Sequence, residues 1–287
     1  MRESPWLREI RTLDPERDCR RIVFLDTFLE FPFDTTRALE LAFFKTFAVP
    51  SIAELLDSTG EFGERGQKRY DDTDLLISAF AEDGWDGALG TRAIRRMNQI
   101  HSRFAISNDD YLYVLSAMVL EPIRWNERFG WRRMVEAERL AAFHCWREIG
   151  RRMAITRIPD SYEELERFNV EYERENVATT DATRRVGRHG RELFTAWFPR
   201  PLRPFVRRGI HVLLDEELRR AFGFPEPPPG LTVAAAQALQ LRARVVRLLP
   251  PRRGPRLRTR LRRRRSYPRG YMLEELGPAS SSRRRAA

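Results

Sequence analysis

Residues 91–104 read TRAIRRMNQIHSRF, and this stretch decides the fold class. Its apolar side chains recur every three or four residues, at Ile94, Met97 and Phe104, and His101 falls on the same face. That spacing matches the 3.6-residue turn of an α-helix and does not match the two-residue repeat of a strand. The stretch therefore predicts an amphipathic helix with a histidine on its apolar side.

The same helical period runs through the chain up to about residue 250. It predicts helices over residues 35–48, 50–56, 70–82, 91–104, 108–120, 136–153, 161–176, 181–197, 202–214, 216–222 and 233–248. Asn108 and Ser161 are predicted N-caps. Residues 60–67 are polar and contain glycine, which predicts a loop, and Pro122 predicts the end of a helix or a kink. Alternating runs of strand length are scarce, so we predict an all-α fold, a single multi-helix bundle-like domain over residues 1–250.

The basic character of the chain is confined to its C-terminal tail, residues 251–287. The net charge is +11, and residues 252–287 hold 13 arginines against two glutamates, so the rest of the chain is neutral. A segment rich in Arg, Pro, Gly and Ser buries too little surface to offset its ordering entropy. We therefore expect a disordered Arg-rich tail attached to a charge-neutral helical domain.

Three roles are open for this tail. It can be a solvated extension, it can contact an anionic membrane at about 1 kcal/mol per arginine near the surface, or it can bind nucleic acid by releasing counterions. Nucleic acid ranks last, because only Tyr267 and Tyr271 are available to stack on bases.

The sequence also gives an expectation for where the protein is located in the cell. The N-terminal residues lack the apolar core of a secretory signal, and the longest apolar run, residues 111–120, is about half of a membrane span. Cys19 and Cys145 have no CxxC spacing and are too few for a disulfide framework. We expect a cytoplasmic protein, with peripheral contact at the inner membrane face as the alternative.

The chain has only four histidines, which limits the catalytic sites that it can build. None has glutamate three residues before it, and the sequence contains no HExxH, GxSxG, P-loop or GxGxxG motif. A cofactor held by one protein ligand in an apolar pocket remains, and haem is the main candidate, because a single neutral imidazole can hold its iron. His101 suits that role, although a lone histidine on a core face is more often structural.

Two other groups of polar residues have simpler interpretations. Asp71, Asp72 and Asp74 could bind a metal, but carboxylates at a helix N-terminus usually complement the helix dipole. His144 and Cys145 could form a nucleophilic pair, but neighbouring residues of a helix point about 100° apart. We therefore expect neither group to carry the chemistry.

Several segments, taken in order, match a known family. They are QKRYDDT at 67–73, RAIRRMNQIH at 92–101, ISNDDY at 106–111, FGWR at 129–132, GRRMAI at 150–155, IP at 158–159 and LFTAWFP at 193–199. In order and spacing they resemble the haem-dependent oxygenase family that includes the MpaB-type oxygenases and the latex-clearing proteins, or rubber oxygenases. The resemblance covers roughly residues 35–225, and it implies a helical bundle that encloses b-type haem.

The resemblance also implies roles for particular residues. His101 corresponds to the proximal ligand of the haem iron, and Arg69 and Thr73 correspond to residues of the haem pocket. Arg69 could pair with a haem propionate or steer bound dioxygen, and the sequence leaves both open. Latex-clearing proteins have a lysine where this chain has Asp72, and a second histidine where it has Asn98. Because of these two departures, the resemblance implies neither a distal iron ligand nor polyisoprene cleavage.

The sequence thus predicts a haem-b-dependent oxygenase that acts with dioxygen on an apolar, prenyl-like unsaturated substrate. The alternative is a non-enzymatic helical scaffold of the same fold, whose basic tail contacts a membrane or a partner. The substrate's identity and the oligomeric state are not predicted.

Overall fold

The structure, a computed structural model, describes residues 3–260 and 264–278. In these two ranges the chain forms thirteen α-helices and no strand, which confirms the all-α prediction. The helices are α1 (Pro5–Ile10), α2 (Cys19–Leu25), α3 (Pro32–Thr46), α4 (Pro50–Thr59), α5 (Glu61–Asp83), α6 (Ala88–His101), α7 (Asn108–Phe129), α8 (Glu136–Arg152), α9 (Tyr162–Asn176), α10 (Asp181–Ala196), α11 (Arg203–Leu213), α12 (Glu216–Phe222) and α13 (Pro229–Leu248). A π-helical turn, Asp26–Glu30, joins α2 to α3.

The central helix is α7, which packs against α3, α8 and α9. Around it, α5 pairs with α6 and α2 pairs with α8. Phe44 of α3 packs with Val186 of α10 and Phe222 of α12 in a second cluster. A Cβ atom at Gly190 would lie 2.7 Å from the Phe44 ring, so α10 approaches α3 too closely for a larger residue. In the described ranges no helix is both long and apolar enough to cross a membrane.

The segment predicted as a loop over residues 60–67 is instead the start of α5. The helix begins at Glu61, and its backbone departs from helical geometry only at Arg65, where φ is −138° and ψ is 38°. The Arg65 guanidinium lies 2.6 Å from the Glu61 carboxylate one turn earlier. This ion pair spans the kink, a local contact that the glycine-based prediction does not take into account.

The ends of α7 also differ from the prediction. Ser107 caps the helix, because its hydroxyl accepts from the N–H of Asp110 at 3.0 Å, whereas Asn108 binds the backbone of Thr156. The helix continues beyond Pro122 to Phe129. Trp125 and Phe129 are buried on this last part of the helix. The burial of these two side chains stabilises the last part of α7. It compensates for Pro122, which has no N–H to donate within the helix.

The interior around α7 contains a group of paired charges. The Nζ atom of Lys45 lies 2.9 Å from the carboxylates of both Glu121 and Glu173, and Arg124 lies 2.9 Å from Glu121. Burial opposes the charge of Lys45, but the two carboxylates outweigh it and raise the pKa of Lys45. The lysine is therefore charged in the interior and ties α3 to α7 and α9.

The tail differs from the prediction of disorder over its described parts. Residues 264–278, here called the C-terminal segment, lie against α5 and α6, and Leu273 and Leu276 are buried in the same apolar cluster as Leu75 and Ile94. The composition of the tail as a whole hides these few apolar residues, which is why the sequence predicted no packing. The predicted disorder of residues 261–263 and 279–287 lies outside the described residues.

Acidic residues of α5 hold the tail in place. Asp74 accepts from the guanidinium of Arg258 at 2.8 Å and also pairs with Arg264. Asp71 accepts from the backbone N–H of Ser266 at 3.0 Å. These carboxylates lie in the middle of α5 rather than at its N-terminus, so the helix-dipole interpretation of them is wrong. Asp74 neutralises Arg258 and Arg264 of the tail, and Asp71 binds the tail backbone.

Candidate active site

A cavity of about 860 Å³ lies inside the helical domain. Its walls come from α3, α5, α6, α7, α8 and α10, and most of the lining side chains are apolar. His101, Arg69 and Thr73, the three residues predicted to form the site, all line it. Gly277 and Pro278 of the C-terminal segment complete the wall beside α6. The cavity therefore brings together the predicted site residues and adds a part of the tail to them.

His101 is the last residue of α6 and faces this cavity. Its ring packs against Tyr111 at 5.5 Å between centroids, and its Nδ1 atom is buried without a hydrogen-bond partner among the described residues. Burial, assisted by the positive charge of Arg69, lowers the pKa of His101 to about 4. The imidazole is therefore neutral at physiological pH, the form that binds a metal.

Arg69 and Thr73 lie one turn apart on α5 and contact each other. The guanidinium of Arg69 donates to the hydroxyl oxygen of Thr73, and the Thr73 hydroxyl lies 3.1 Å from the backbone carbonyl of Arg69. Phe62 packs below the guanidinium at 5.7 Å. Burial lowers the pKa of Arg69, and no ion-pair partner for it occurs in the described parts of the chain. Arg69 is thus a positioned cation that an anionic group in the cavity can approach.

Asp72 and Asn98, the two departures from the latex-clearing pattern, have structural partners. Asp72 is 2% exposed, and it accepts from Lys68 at 2.7 Å and from the Tyr267 hydroxyl. Asn98 donates to the backbone carbonyl of Arg152 at 2.9 Å and joins α6 to the end of α8. Each of the two side chains therefore holds two parts of the domain together.

The remaining candidates from the sequence are not brought together as a site. His144 lies 3.7 Å from Glu16, whereas Cys145 is buried in the core beside Cys19, and both cysteines are free. Within the described residues, no group of three or more His, Cys, Asp or Glu side chains is arranged to hold a metal ion.

A group of buried charges beside the cavity was missed from the sequence. Asp26 lines the cavity, and its charged neighbours are Glu138, Arg132 and Glu30, of which Arg132 forms ion pairs with both glutamates. Arg132 falls in the FGWR segment at 129–132, but nothing in the sequence indicates its distant partners. Such a group becomes visible only once α2 and α8 are packed together.

The cavity can be tested for its fit to haem. A large planar macrocycle needs apolar walls, one neutral nitrogen ligand and a cation near its carboxylates. The apolar lining, the unpartnered neutral imidazole of His101 and the unpaired charge of Arg69 meet these three requirements. The residues therefore fit the group.

The class of protein follows from this fold and from a match to a protein family. The family model described as "ER-bound oxygenase mpaB/B'/Rubber oxygenase, catalytic domain" matches residues 42–248. The chain therefore belongs to the MpaB and rubber-oxygenase family, which confirms the resemblance seen in its sequence.

Particular relatives are fungal. The ER-bound oxygenase mpaB' of Penicillium brevicompactum is 28% identical over 243 residues, which cover 78% of this chain and 57% of the relative. The ER-bound oxygenase mpaB of Penicillium roqueforti is 26% identical over 216 residues, covering 69% of this chain and 72% of the relative. The chain thus spans little more than half the length of the mpaB' protein.

Proposed function

We propose that this protein is a haem-dependent oxygenase that acts with dioxygen on an apolar, unsaturated, prenyl-like substrate. The observation that carries the proposal is the neutral, unpartnered imidazole of His101 in the wall of a large apolar cavity. Membership of an oxygenase family supports it. Haem, when bound, supplies an iron centre that activates dioxygen.

The residues of the chain have distinct tasks in this proposal. His101 holds the iron through a ring nitrogen, and its low pKa keeps that nitrogen unprotonated over the physiological range. Arg69 either binds a carboxylate of the macrocycle or orients dioxygen, and its contact with Thr73 fixes the guanidinium in the wall. The apolar lining excludes water and favours a substrate without charges.

The visible spectrum of the purified protein tests this proposal. We expect a Soret band in the protein as purified or after addition of haemin, and a shifted or much weaker band in His101→Ala. His189→Ala is the matched control, because His189 lies beside Gly63 of α5 and does not line the cavity. A protein that takes up no haem, or a His101→Ala spectrum identical to that of the wild type, would contradict the proposal.

A non-enzymatic scaffold remains the second candidate. It is favoured by Asp72, whose carboxylate accepts hydrogen bonds from Tyr267 and Gly277 of the C-terminal segment. In that case the cavity would bind no haem, and His101→Ala would change only the stability of the protein. The spectrum described above separates the two candidates.

We also propose peripheral contact with an anionic membrane. The relatives are named ER-bound. The second half of α13 exposes Leu241 and Leu248, and the exposed Leu249 follows it, close in sequence to the exposed Arg252 and Arg253. Apolar side chains next to arginines suit an interface with acidic lipids. Sedimentation with vesicles containing 30% phosphatidylserine, but not with neutral vesicles, is the expected result, and equal sedimentation with both kinds would contradict it.

A further inference from the structure

The turn and the helix that follow α10 expose large apolar side chains to the solvent. Phe198 is 42% exposed, Leu202 is 49% exposed, and Phe205, near the start of α11, is 67% exposed. The three residues recur at intervals of four and three positions along the chain. Exposed apolar side chains are usually scattered singly, so three of them within eight residues indicate a surface that has a partner. Residues 198–208 are here called the α11 surface.

The α11 surface belongs to a helix that is docked on the domain by its other side. His211 and Leu214, at the end of this helix, are buried, and α11 packs against α10 and α13. The guanidinium of Arg203 donates to the carbonyl of Phe198 at 3.1 Å and so holds the turn before the helix in place. The exposed apolar side chains are therefore a property of the folded domain.

The charged side chains of this part of the chain are all positive. Residues 193–214 contain four arginines and no aspartate or glutamate. Arg207 pairs with Glu192 of α10 at 2.7 Å, whereas Arg200 and Arg208 are exposed and have no ion-pair partner in the described parts of the chain. The α11 surface therefore combines apolar side chains with two cations that are available to an anionic group.

An anionic lipid bilayer is the partner that matches this combination. Its acyl chains accept apolar side chains, and its acidic headgroups bind the arginines beside them. A second copy of the same surface would bring arginines against arginines, and a nucleic acid offers no apolar layer for Leu202. We propose that the α11 surface inserts into the interface of an anionic membrane.

This inference deepens the proposed membrane contact, on which it rests, because it names an element of the folded domain that enters the lipid. The helix packs against α13, whose exposed leucines are part of that proposed contact. Leu193 and Phe194 of α10 line the cavity, and Phe198 lies four residues beyond Phe194. Insertion therefore places the α10 wall of the cavity near the lipid, in which an apolar substrate dissolves.

Sedimentation with vesicles containing about 30% phosphatidylserine tests the inference with two matched variants. Phe205→Glu puts a negative charge on the α11 surface. Val170→Glu puts the same charge on α9, where Val170 is 53% exposed and the helix carries six glutamates. We expect Phe205→Glu to bind the vesicles about tenfold more weakly than the wild type, and Val170→Glu to stay within about twofold of it. Both side chains are exposed, so neither substitution removes a buried core residue.

A fluorescent label shows whether the α11 surface enters the lipid. The natural cysteines, Cys19 and Cys145, are buried, so a nitrobenzoxadiazole label reacts with the cysteine introduced in Phe205→Cys or, as the control, in Val170→Cys. We expect the acidic vesicles to raise the emission of the label in Phe205→Cys, and lipids with a nitroxide on the acyl chain to quench it. The label in Val170→Cys should show neither change.

Several results would overturn the inference. One is equal vesicle binding by Phe205→Glu and the wild type, and another is a label in Phe205→Cys that is not quenched on bound vesicles. Emission that rises with protein concentration in the absence of vesicles would assign the surface to a second copy of the chain. If the wild type does not sediment, both this inference and the proposed membrane contact fail, whereas the absence of a Soret band affects only the proposed oxygenase.

Discussion

The backbone N–H of Gly277 donates to the carboxylate of Asp72 at 3.0 Å, and so attaches the C-terminal segment to α5. The carbonyl of the same glycine accepts from Lys68 at 2.8 Å. Gly277 has a φ of +108°, and a Cβ atom there would lie 2.6 Å from Ile100, the neighbour of His101. A single glycine therefore joins the tail to both helices that carry the predicted site.

Gly277→Ala should disturb this junction. Both the positive φ and the contact with Ile100 oppose a methyl group, so we expect the free energy of unfolding to fall by about 1–2 kcal/mol. Urea denaturation measures the change. Gly254→Ala is the control, because no atom lies within 4 Å of a Cβ there and φ is not positive. Equal losses of stability at the two sites would show that neither the φ of Gly277 nor its contact with Ile100 opposes a methyl group.

Asp74→Asn should loosen the tail without unfolding the domain. The substitution removes the negative charge that pairs with Arg258 and Arg264. We expect trypsin to cleave within residues 252–269 about tenfold faster than in the wild type, because an undocked segment is more accessible. Asp160→Asn is the control, since Asp160 is 95% exposed and 4.0 Å from Arg147. Unchanged cleavage in Asp74→Asn would show that these pairs do not hold the tail.

Arg69→Leu separates the two roles left open for Arg69. If the guanidinium binds a carboxylate of haem, the variant should lose haem to an excess of a scavenging protein about tenfold faster than the wild type. If it orients dioxygen instead, haem loss should stay unchanged while dioxygen consumption falls. Arg95→Leu on the exposed side of α6 is the control, because Arg95 does not line the cavity. An Arg69→Leu variant unchanged in both measurements would exclude both roles.

His211 should make the stability of the domain depend on pH. Its ring stacks on Phe224 at 4.8 Å, and burial, followed by the charges of Arg191 and Arg219, lowers its pKa to about 4. In the unfolded chain histidine titrates near 6.5, so between these values the unfolded state binds more protons. This contribution to stability is present above pH 6.5 and is lost as the pH falls towards 4.

The prediction for His211 is measured as a difference between two proteins. Between pH 7 and pH 4.5, the wild type should lose about 2 kcal/mol more of its unfolding free energy than His211→Gln. Titrations of groups other than residue 211 cancel in this comparison. Parallel pH profiles for the two proteins would show that the histidine is protonated equally in both states.

The helices could be predicted from the sequence because each depends on contacts within a few turns. The face that carries Ile94 and His101 is a local pattern, and it appears as α6 with bounds of Ala88–His101. The start of α5 could not be predicted, because its glycines suggested a loop while the Arg65 and Glu61 pair stabilises helix. The docking of the tail could not be predicted either, because Leu276 packs into a core whose other residues lie far away in the sequence.

The candidate site could likewise be predicted from the sequence only in part. His101, Arg69 and Thr73 were named from the resemblance, and the structure places all three in one cavity wall, while their chemical roles remain predictions. Asp26 could not be named, because the pKa of its carboxyl group is raised by burial and then by Glu138, which lies more than a hundred residues further along the chain. A carboxyl group is neutral or charged according to its neighbours in space, and these are not visible in sequence order.

The docked tail also determines the order in which the cavity can be completed. Arg96 donates to the carbonyl of Leu276 at 2.8 Å, although the two residues are 180 positions apart. During synthesis, α5 and α6 leave the ribosome long before residues 276–278 exist. The part of the cavity wall that Gly277 and Pro278 form is therefore added only after α5 and α6 have been made.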